Sequence, residues 1–276
     1  MDLKSAREVI HKPTELASKI FDVLGFKNPE DFLYKLAQGH FQYMNYGMFP
    51  TKDSQGYNGC CEEEINYLEL FDLCRLELRE GLDFLEVGCG LGYGAQLINN
   101  KFKPSSLVSI DRAENAILFA QKNLDNSNVT YKYDGFSENI VPENSLDVIY
   151  TVETGGRFPK KENFELAYRL LKKNGMFLVA NINPANELAK KREFAKEAGF
   201  QLYKERDVTP QVLSYLKSEK KAQNFYAIID SMPFHRAAIL KVFIKQVKEF
   251  SRMPGSKSHE LLGTKEFYYH FCFRKG

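Results

Sequence analysis

The feature that most constrains this chain is a short apolar run that ends in closely spaced glycines. The run spans residues 84–87 and is interrupted by one acid, Glu86, and Gly88, Gly90, Gly92 and Gly94 follow at every second position. An apolar run bounded by glycine predicts a buried parallel strand, and glycine lets the backbone turn sharply and approach a ligand without a Cβ in the way. Because ligands of open α/β sheets bind at the carboxyl ends of the strands, we expect a binding site at this turn.

Further apolar runs alternate with segments of helical spacing along the chain. The segments predicted as strands span residues 83–87, 106–111, 129–133, 146–151, 176–180, 199–208 and 267–273. The predicted helices cover 62–80, the stretch from the glycine turn to about 101, the residues after 111, then 161–173, 185–198 and much of 210–252. Strands that alternate with helices indicate a parallel sheet with right-handed crossovers, so we predict an α/β protein.

Composition narrows the class of protein further. The 276 residues carry a net charge of +2, with 43% hydrophobic and 27% charged residues, which is ordinary for a globular chain and gives no strong nucleic-acid signal. No run reaches the length of a membrane span, and the N-terminus lacks the core of a signal peptide. The five cysteines have neither disulfide-framework nor zinc spacing, so we expect a cytoplasmic protein without a bound metal.

Three acidic residues fall at the ends of successive predicted strands. Glu86 lies just before the glycines, Asp111 ends the second strand where a carboxylate can reach a ribose, and Asp134 follows the third strand. A carboxylate at Glu86 would repel a pyrophosphate but attract a cationic ligand. The set is suited to a ligand with an amine, a ribose and an adenine, although residues 90–95 also satisfy a loose dinucleotide pattern.

The stretch Leu85-Glu86-Val87-Gly88-Cys89-Gly90-Leu91-Gly92 closely resembles the first motif of class I S-adenosylmethionine-dependent methyltransferases. Asp111, Asp134-Gly135 and residues 170–179 resemble the later motifs in order and spacing, so the resemblance covers about residues 83–208. Residues 206–213 further resemble a segment of the small-molecule group, which includes sterol, phosphoethanolamine and polyketide-tailoring enzymes.

The resemblance implies a Rossmann-like fold. That fold is a three-layer sandwich with a seven-stranded mixed sheet whose last strand is antiparallel. An N-terminal helical cap and a helical insertion before the last strand would be added to it.

The resemblance also implies roles in binding S-adenosylmethionine. The groups implied to face its methionine part are Glu86 and the backbone of Gly88, Cys89 and Gly90. Asp111 would bind both ribose hydroxyls, and the adenine would be contacted by Ile110, Arg112, Asp134, Gly135 and Phe136. Thr151 would lie below the sulfonium, and Tyr43 and Tyr46 would belong to an aromatic lid, since residues 44–49 resemble the segment that closes over the cofactor in this group.

The segment after the fourth strand departs from these relatives. Many of them carry a histidine there as a candidate base, whereas this chain reads Glu153-Thr154-Gly155-Gly156-Arg157-Phe158-Pro159. Arginine stays protonated and cannot act as a base, but Arg157 could bind an acidic group or stabilise a phenolate. The catalytic candidates are Glu153, Arg157 and His235, with His40 and Tyr43 as further options for a base, unless none is needed.

The predicted organisation has four parts. Residues 1–62 form an N-terminal helical cap and aromatic lid, 63–209 the cofactor-binding core, 210–262 a helical roof over the substrate, and 263–276 the final strand.

We predict methyl transfer from S-adenosylmethionine to an oxygen, or else a nitrogen or carbon, of a small-molecule metabolite. The product would be S-adenosylhomocysteine, and a homodimer stays open. The alternatives are an RNA methyltransferase, an NAD-dependent oxidoreductase and a non-catalytic S-adenosylmethionine-binding protein.

Overall fold

A seven-stranded sheet lies at the centre of the chain. The computed structural model describes residues 34, 40–52, 57–75, 78–125, 127–155, 158–231, 248–249 and 251–276. The strands are β1 (Asp83–Val87), β2 (Ser106–Asp111), β3 (Val129–Tyr133), β4 (Leu146–Val152), β5 (Leu171–Pro184), β6 (Phe200–Asp207) and β7 (Glu266–Lys275).

The strand order in the sheet is β3-β2-β1-β4-β5-β7-β6. The pairs from β3 through β5 are parallel, whereas β7 runs antiparallel to both β5 and β6. This confirms the predicted mixed sheet with an antiparallel last strand. The strand order reverses between β1 and β4, so the carboxyl ends of these two strands border the crevice in which ligands of such sheets bind.

Helices cover both faces of the sheet and complete a three-layer sandwich. They are α1 (Glu62–Asp72), α2 (Tyr93–Phe102), α3 (Glu114–Asn123), α4 (Lys161–Leu170), α5 (Ala185–Glu197), α6 (Thr209–Leu216), α7 (Glu219–Ser231) and α8 (Lys257–Leu261). Within the described ranges, no helix is both long and apolar enough to cross a bilayer.

The two faces of the sheet are packed by different helices because side chains alternate along each strand. On one face Phe84 of β1 packs in a cluster with Phe71 of α1 and Ile98 of α2. On the other face Leu85 shares a cluster with Phe164 of α4 and with residues of α5. Both faces are therefore buried, as the near-continuous apolar character of β1 and β4 predicts.

Three predicted helices have different boundaries in the structure, and the one predicted over 161–173 ends at Leu170, directly before β5. The helix predicted over 62–80 ends at Asp72, where the amides of Leu73 and Cys74 bond to carbonyls only three residues back and tighten the last turn. The helical stretch predicted from 210 is divided between α6 and α7 at Ser218. The hydroxyl of Ser218 accepts the amide of Lys221 at 3.2 Å and so begins a new helix.

The fifth strand is longer than the apolar run that predicted it. It begins at Leu171 rather than at residue 176 and continues to Pro184. Pairing with β7 along residues 176–184 extends it past the apolar core, which the local sequence does not signal. Most of the predicted N-terminal cap and residues 232–247 of the predicted roof lie outside the described residues.

We predict that Phe164→Ala lowers the free energy of unfolding by about 3–5 kcal/mol, because truncation of a buried phenylalanine leaves a cavity. Phe164 is 0% exposed, and its ring lies 5.3 Å from that of Phe273 and 5.6 Å from that of Phe177. Urea titration followed by circular dichroism measures the change. The matched control is Leu118→Ala at a side chain that is 57% exposed, which we expect to stay within about 0.5 kcal/mol of the wild type. Equal effects of the two changes would contradict the assignment of Phe164 to the core.

Candidate functional site

The turn after β1 is fixed from both neighbouring strands. The amides of Gly88 and Cys89 donate to the carbonyl of Ile110 on β2 at 2.8 and 3.0 Å. Gly88 has a φ of 78°, and a Cβ there would lie 2.1 Å from the Thr154 hydroxyl oxygen, beyond the end of β4. Only glycine fits this position, because the left-handed backbone and the close approach of Thr154 both exclude a side chain.

Asp111 lies at the end of β2 and binds the glycine turn directly. Its carboxylate accepts the amide of Gly90 at 2.8 Å through Oδ2 and the amide of Ala113 at 2.8 Å through Oδ1. The side chain is half-buried. The structure therefore places Asp111 beside the turn, as the sequence predicts, and gives its carboxylate a fixed orientation.

Glu86 is a buried carboxylate on β1 beneath this turn. It is 1% exposed, and the hydroxyl of Ser109 donates to its Oε2 at 3.2 Å. The hydroxyls of Tyr67 and Tyr150 face the same carboxylate and favour its ionised form. Among the described residues, none gives Oε1 of Glu86 a well-directed hydrogen bond.

The surroundings of Glu86 disfavour its charge. Burial above all, together with the nearby charge of Asp111, raises the pKa of Glu86 to about 8. A cationic group beside it would restore the ionised form. An incompletely bonded, buried carboxylate next to a glycine turn thus fits the amino group of a ligand.

Cys89, between the two glycines, is predicted to contribute only its backbone. Its thiol is buried, and burial with the charges of Glu86 and Asp111 raises its pKa well above the usual value. A thiol that keeps its proton is a poor nucleophile. The structure thus supports a packing role for this side chain.

The residues predicted to contact an adenine lie together at the ends of β2 and β3. The amide of Asp134 donates to the carbonyl of Asp111 at 3.1 Å. A Cβ on Gly135 would lie 3.0 Å from the Arg112 guanidinium, so that side chain covers the glycine. Phe136 packs edge-on against Phe158 at a centroid distance of 5.8 Å. Asp134 itself is exposed, and its Oδ1 accepts the amide of Gly135 at 2.7 Å.

Thr151 ties β4 to the glycine turn and lies 1% exposed. Its hydroxyl donates to that of Thr154 at 2.6 Å, and Thr154 in turn donates to the carbonyl of Val87 at 2.6 Å. The hydroxyl hydrogen of Thr151 is therefore used within the protein. The carboxyl ends of β1 and β4 are held together by this pair.

The two tyrosines predicted to form a lid lie in different surroundings. The hydroxyl of Tyr43 donates to Glu64 at 2.9 Å, and its ring lies 6.0 Å from that of Tyr93, the first residue of α2. The ring of Tyr46 lies 5.6 Å from the Arg252 guanidinium. Tyr43 is thus placed over the start of the helix that follows the turn, and Tyr46 lies toward the residues before β7.

Glu153 brings three separate segments together at the end of β4. Its φ is 56°, in the left-handed region. Its carboxylate accepts the amide of Tyr46 at 3.0 Å and the hydroxyl of Tyr268 at 2.8 Å. Burial raises the pKa of Glu153 to about 7, although these two hydrogen bonds and the charges of Lys221 and Arg252 oppose the rise. A carboxylate with such a pKa can accept a proton near neutral pH.

The other candidates for a base differ from Glu153. Burial and the neighbouring Glu64 raise the pKa of Tyr43 far above its usual value, so its hydroxyl keeps its proton. Nδ1 of His40 lies 3.2 Å from the hydroxyl of Ser231 in an exposed contact. Arg157 and His235 lie outside the described residues.

Several residues around the site were missed by the sequence analysis. They are Tyr34, Asn66, Tyr67, Tyr150, Thr154 and Tyr268. A Cβ on Gly90 would lie 2.8 Å from the Tyr34 hydroxyl. Asn66 is a polar residue on the buried side of α1, and that mismatch with the helical pattern is the one signal that could have drawn attention to it. In the part of the chain that the structure describes, no group of three or more His, Cys, Asp or Glu side chains could hold a metal ion.

A family model described as "Methyltransferase domain" matches residues 78–231 of this chain, which is more than half of its length. The match covers β1 to β6 together with helices α2 to α7. It thus contains the glycine turn, Asp111, Asp134 and Glu153.

Individual proteins show the same likeness. The chain is 24% identical to a fatty-acid O-methyltransferase of Mycolicibacterium smegmatis over 199 residues, 71% of this chain and 69% of that protein. It shares the fold of a cyclopropane synthase from Mycobacterium tuberculosis, with a TM-score of 0.66, 15% identity and coverage of 90% of this chain and 95% of that one.

A third likeness is to a structure with ligands. A phosphoethanolamine N-methyltransferase of Haemonchus contortus, solved with phosphomonomethylethanolamine and S-adenosylhomocysteine, superposes with a TM-score of 0.63 and 18% identity. The superposition covers 92% of this chain and 59% of that one.

We predict that Glu86→Gln makes the ligand-free protein more stable relative to wild type at pH 8 than at pH 5. The folded wild type holds a proton on Glu86 up to a pKa of about 8, whereas the unfolded chain releases it near about 4.3. Wild-type stability therefore falls as pH rises between these values, by about 1.4 kcal/mol for each unit of raised pKa. Urea unfolding at both pH values measures the difference.

The matched control for that comparison is Glu165→Gln on the exposed side of α4. We expect its stability relative to wild type to be the same at pH 5 and pH 8. If the effect of Glu86→Gln were equally independent of pH, the buried carboxylate would not be titrating as described.

Proposed function

Since the chain belongs to the methyltransferase domain family, we propose that it transfers a methyl group from S-adenosylmethionine to an oxygen atom of a small molecule. The observation that carries this proposal is the pair of carboxylates, Glu86 and Asp111, on either side of a turn that only glycine can form. One carboxylate is suited to an amino group and the other to a pair of ribose hydroxyls.

The residues present fit S-adenosylmethionine, which supplies an electrophilic methyl group on a sulfonium when it is bound. Glu86 would hold the amino group, since its Oε1 lacks a well-directed donor among the described residues. Asp111, whose carboxylate accepts the Gly90 amide at 2.8 Å, would hold the ribose, and the backbone from Gly88 to Gly90 would face the methionine part. Arg112, Asp134, Gly135 and Phe136 would surround the adenine.

The remaining task of the chain is to bind and orient the acceptor, exclude water and remove a proton where the acceptor carries one. Glu153 is suited to the last step because its pKa of about 7 lets it accept a proton from a hydroxyl. The amide of Tyr46 donates to this carboxylate, and the ring of Tyr46 lies beside Arg252. Tyr46 and Arg252 would therefore border the acceptor. Arg157 and His235 stay candidates for contact with the acceptor.

A second acceptor, a carboxylate, is favoured by the similarity to a fatty-acid O-methyltransferase. A carboxylate is already ionised at neutral pH, and its methylation needs no base. The two kinds of oxygen acceptor therefore differ in their demand on Glu153. An oxidoreductase that uses NAD is not supported by the family match.

We predict that Asp111→Asn weakens the binding of S-adenosylmethionine about tenfold or more. The change removes the charge that would bind the ribose hydroxyls, and a charge-assisted hydrogen bond is worth about 1.5–3 kcal/mol. Isothermal titration calorimetry measures the affinity. The control is Asp125→Asn, at an exposed aspartate before β3 whose side chain accepts the amide of Ser127 at 2.9 Å. Unchanged affinity in Asp111→Asn would remove Asp111 from the binding site.

We predict that the protein moves label from [methyl-³H]S-adenosylmethionine to a small lipophilic oxygen acceptor. Palmitic acid serves as the carboxylate probe and hexadecanol as the hydroxyl probe, with phosphoethanolamine and total RNA as contrasting acceptors. For a hydroxyl acceptor, Glu153→Gln should lower turnover about 100-fold or more while affinity for S-adenosylmethionine is kept. For palmitic acid the same change should have little effect.

The control for turnover is again Glu165→Gln, which should match wild type. Label recovered only in phosphoethanolamine would overturn the choice of oxygen, and label recovered only in RNA would show an RNA methyltransferase. Tight binding of S-adenosylmethionine without transfer to any extractable metabolite would show a non-catalytic binding protein.

A further inference from the structure

A buried chain of hydrogen bonds leads from the interior of the sheet to Glu153. Nε2 of His270 on β7 lies 2.8 Å from Oδ1 of Asn66 on α1. Nδ2 of Asn66 donates to the Tyr268 hydroxyl at 2.7 Å, and that hydroxyl donates to Oε1 of Glu153 at 2.8 Å. Asn66, Tyr268 and His270 are each 0% exposed.

The direction of these hydrogen bonds follows from the partners that are present. Among the described residues, Nδ1 of His270 has no hydrogen-bond partner. If Nδ1 carried the proton, a buried donor would be left unpaired, which is costly. Nε2 therefore carries it and donates to Oδ1 of Asn66. The amide of Asn66 then faces Tyr268, and each donor in the chain points toward Glu153.

His270 is held neutral, so it is a hydrogen-bond donor in this chain and not a proton reservoir. Burial, with the nearby positive charge of Arg206, lowers its pKa to about 3. Its single ring proton is already used by Asn66. This series of hydrogen bonds can thus orient and stabilise the Glu153 carboxylate. Its inner end at His270 does not take up a proton near neutral pH.

The two middle members of this series of hydrogen bonds, Tyr268 and Asn66, have further contacts. The amide of Tyr268 donates to the hydroxyl of Thr209 at 2.8 Å, at the start of α6. Asn66 lies in the middle of α1, and its amide nitrogen is also 3.4 Å from Oε1 of Glu153. Three elements that are distant in sequence are therefore required to place this one carboxylate.

The cations near Glu153 also favour its ionised form. Lys221 on α7 and Arg252 before α8 both lower its pKa, against the larger effect of burial. Each has a carboxylate partner of its own: Lys221 lies 2.9 Å from Glu63, and Arg252 lies 2.6 Å from Glu266. Because these cations are already paired, the direct donors to Glu153 become more important for keeping it ionised.

We propose that Asn66, Tyr268 and His270 form a positioning unit that aims the Glu153 carboxylate at the methyl acceptor and holds it in its ionised, proton-accepting form. This inference rests on the proposed role of Glu153 as the base. It assigns to the three residues a function beyond packing, since apolar side chains at these positions would fill the same interior without unsatisfied groups.

The test is an infrared pH titration of the full chain without cofactor or acceptor. The carboxylic acid band of Glu153 is isolated by subtracting the spectrum of Glu153→Gln at each pH. Tyr268→Phe removes the donor to the carboxylate at nearly constant volume. We expect the midpoint of this band to rise by about one pH unit, because an ionised carboxylate loses one charge-assisted donor.

The matched control is Tyr269→Phe, which removes a hydroxyl from the next residue of the same strand, on the opposite face of the sheet. Its midpoint should equal that of the wild type. A Tyr268→Phe midpoint that also equals the wild-type value would overturn the proposal.

A second pair of variants keeps the test decisive if Tyr268→Phe does not fold. His270→Leu removes the donor that fixes the Asn66 amide, and we expect its midpoint to rise as well. His270→Gln keeps an N–H donor and should restore part of the difference. Equal midpoints for these two variants would contradict a role of the donor.

The infrared titration gives its result whether or not the protein transfers a methyl group. A shifted midpoint in a protein that methylates no acceptor would support the positioning unit and reject the proposed function. Normal turnover of a hydroxyl acceptor with an unshifted midpoint would do the reverse.

Discussion

The hydrogen bond from the Thr154 hydroxyl to the carbonyl of Val87 fixes the glycine turn after β1, and the rest of the site depends on this turn. It joins the end of β4 to the end of β1 and places Thr154 in the space that a side chain on Gly88 would need. From the other side, the carbonyl of Ile110 on β2 accepts the amides of Gly88 and Cys89. The turn is therefore held from both neighbouring strands by hydrogen bonds and packing of the protein itself, a preorganisation that favours ligand binding.

Two carboxylates, Glu86 and Glu153, lie next to the hydrogen bond between Val87 and Thr154, and burial raises the pKa of each. Their surroundings nevertheless differ. Glu86 is faced by the hydroxyls of Ser109, Tyr67 and Tyr150, and a cationic ligand beside it would favour its ionised form. Glu153 already has Lys221 and Arg252 nearby, together with direct donors from Tyr46 and Tyr268. Glu86 is therefore suited to binding a ligand. Glu153, whose ionised form the protein itself supports, is suited to proton transfer.

The fold could be predicted largely from local pattern. The inner strands β1, β2, β4 and β5 each contain an apolar run that predicted them, and the glycines after β1 marked the binding edge, because burial on both faces and a sharp turn demand those residue types. The boundaries that differed were set by hydrogen bonds that the local apolar pattern does not signal. β5 extends to Pro184 because β7 pairs with it there, and α1 ends at Asp72 although apolar residues continue beyond it.

The sequence by itself determined the glycine turn and the acids at the strand ends, and the resemblance of these motifs to those of class I methyltransferases indicated the cofactor class. Only the tertiary structure decided which groups surround each acid. Tyr67 and Asn66 come from α1, Tyr150 from β4 and Tyr268 from β7, and no local pattern predicts that Tyr67 and Tyr150 face Glu86 while Asn66 and Tyr268 bond to Glu153. The physical reason is that the pKa and orientation of a buried group depend on neighbours in space, which the chain brings together only when the sheet is assembled and α1 packs against it.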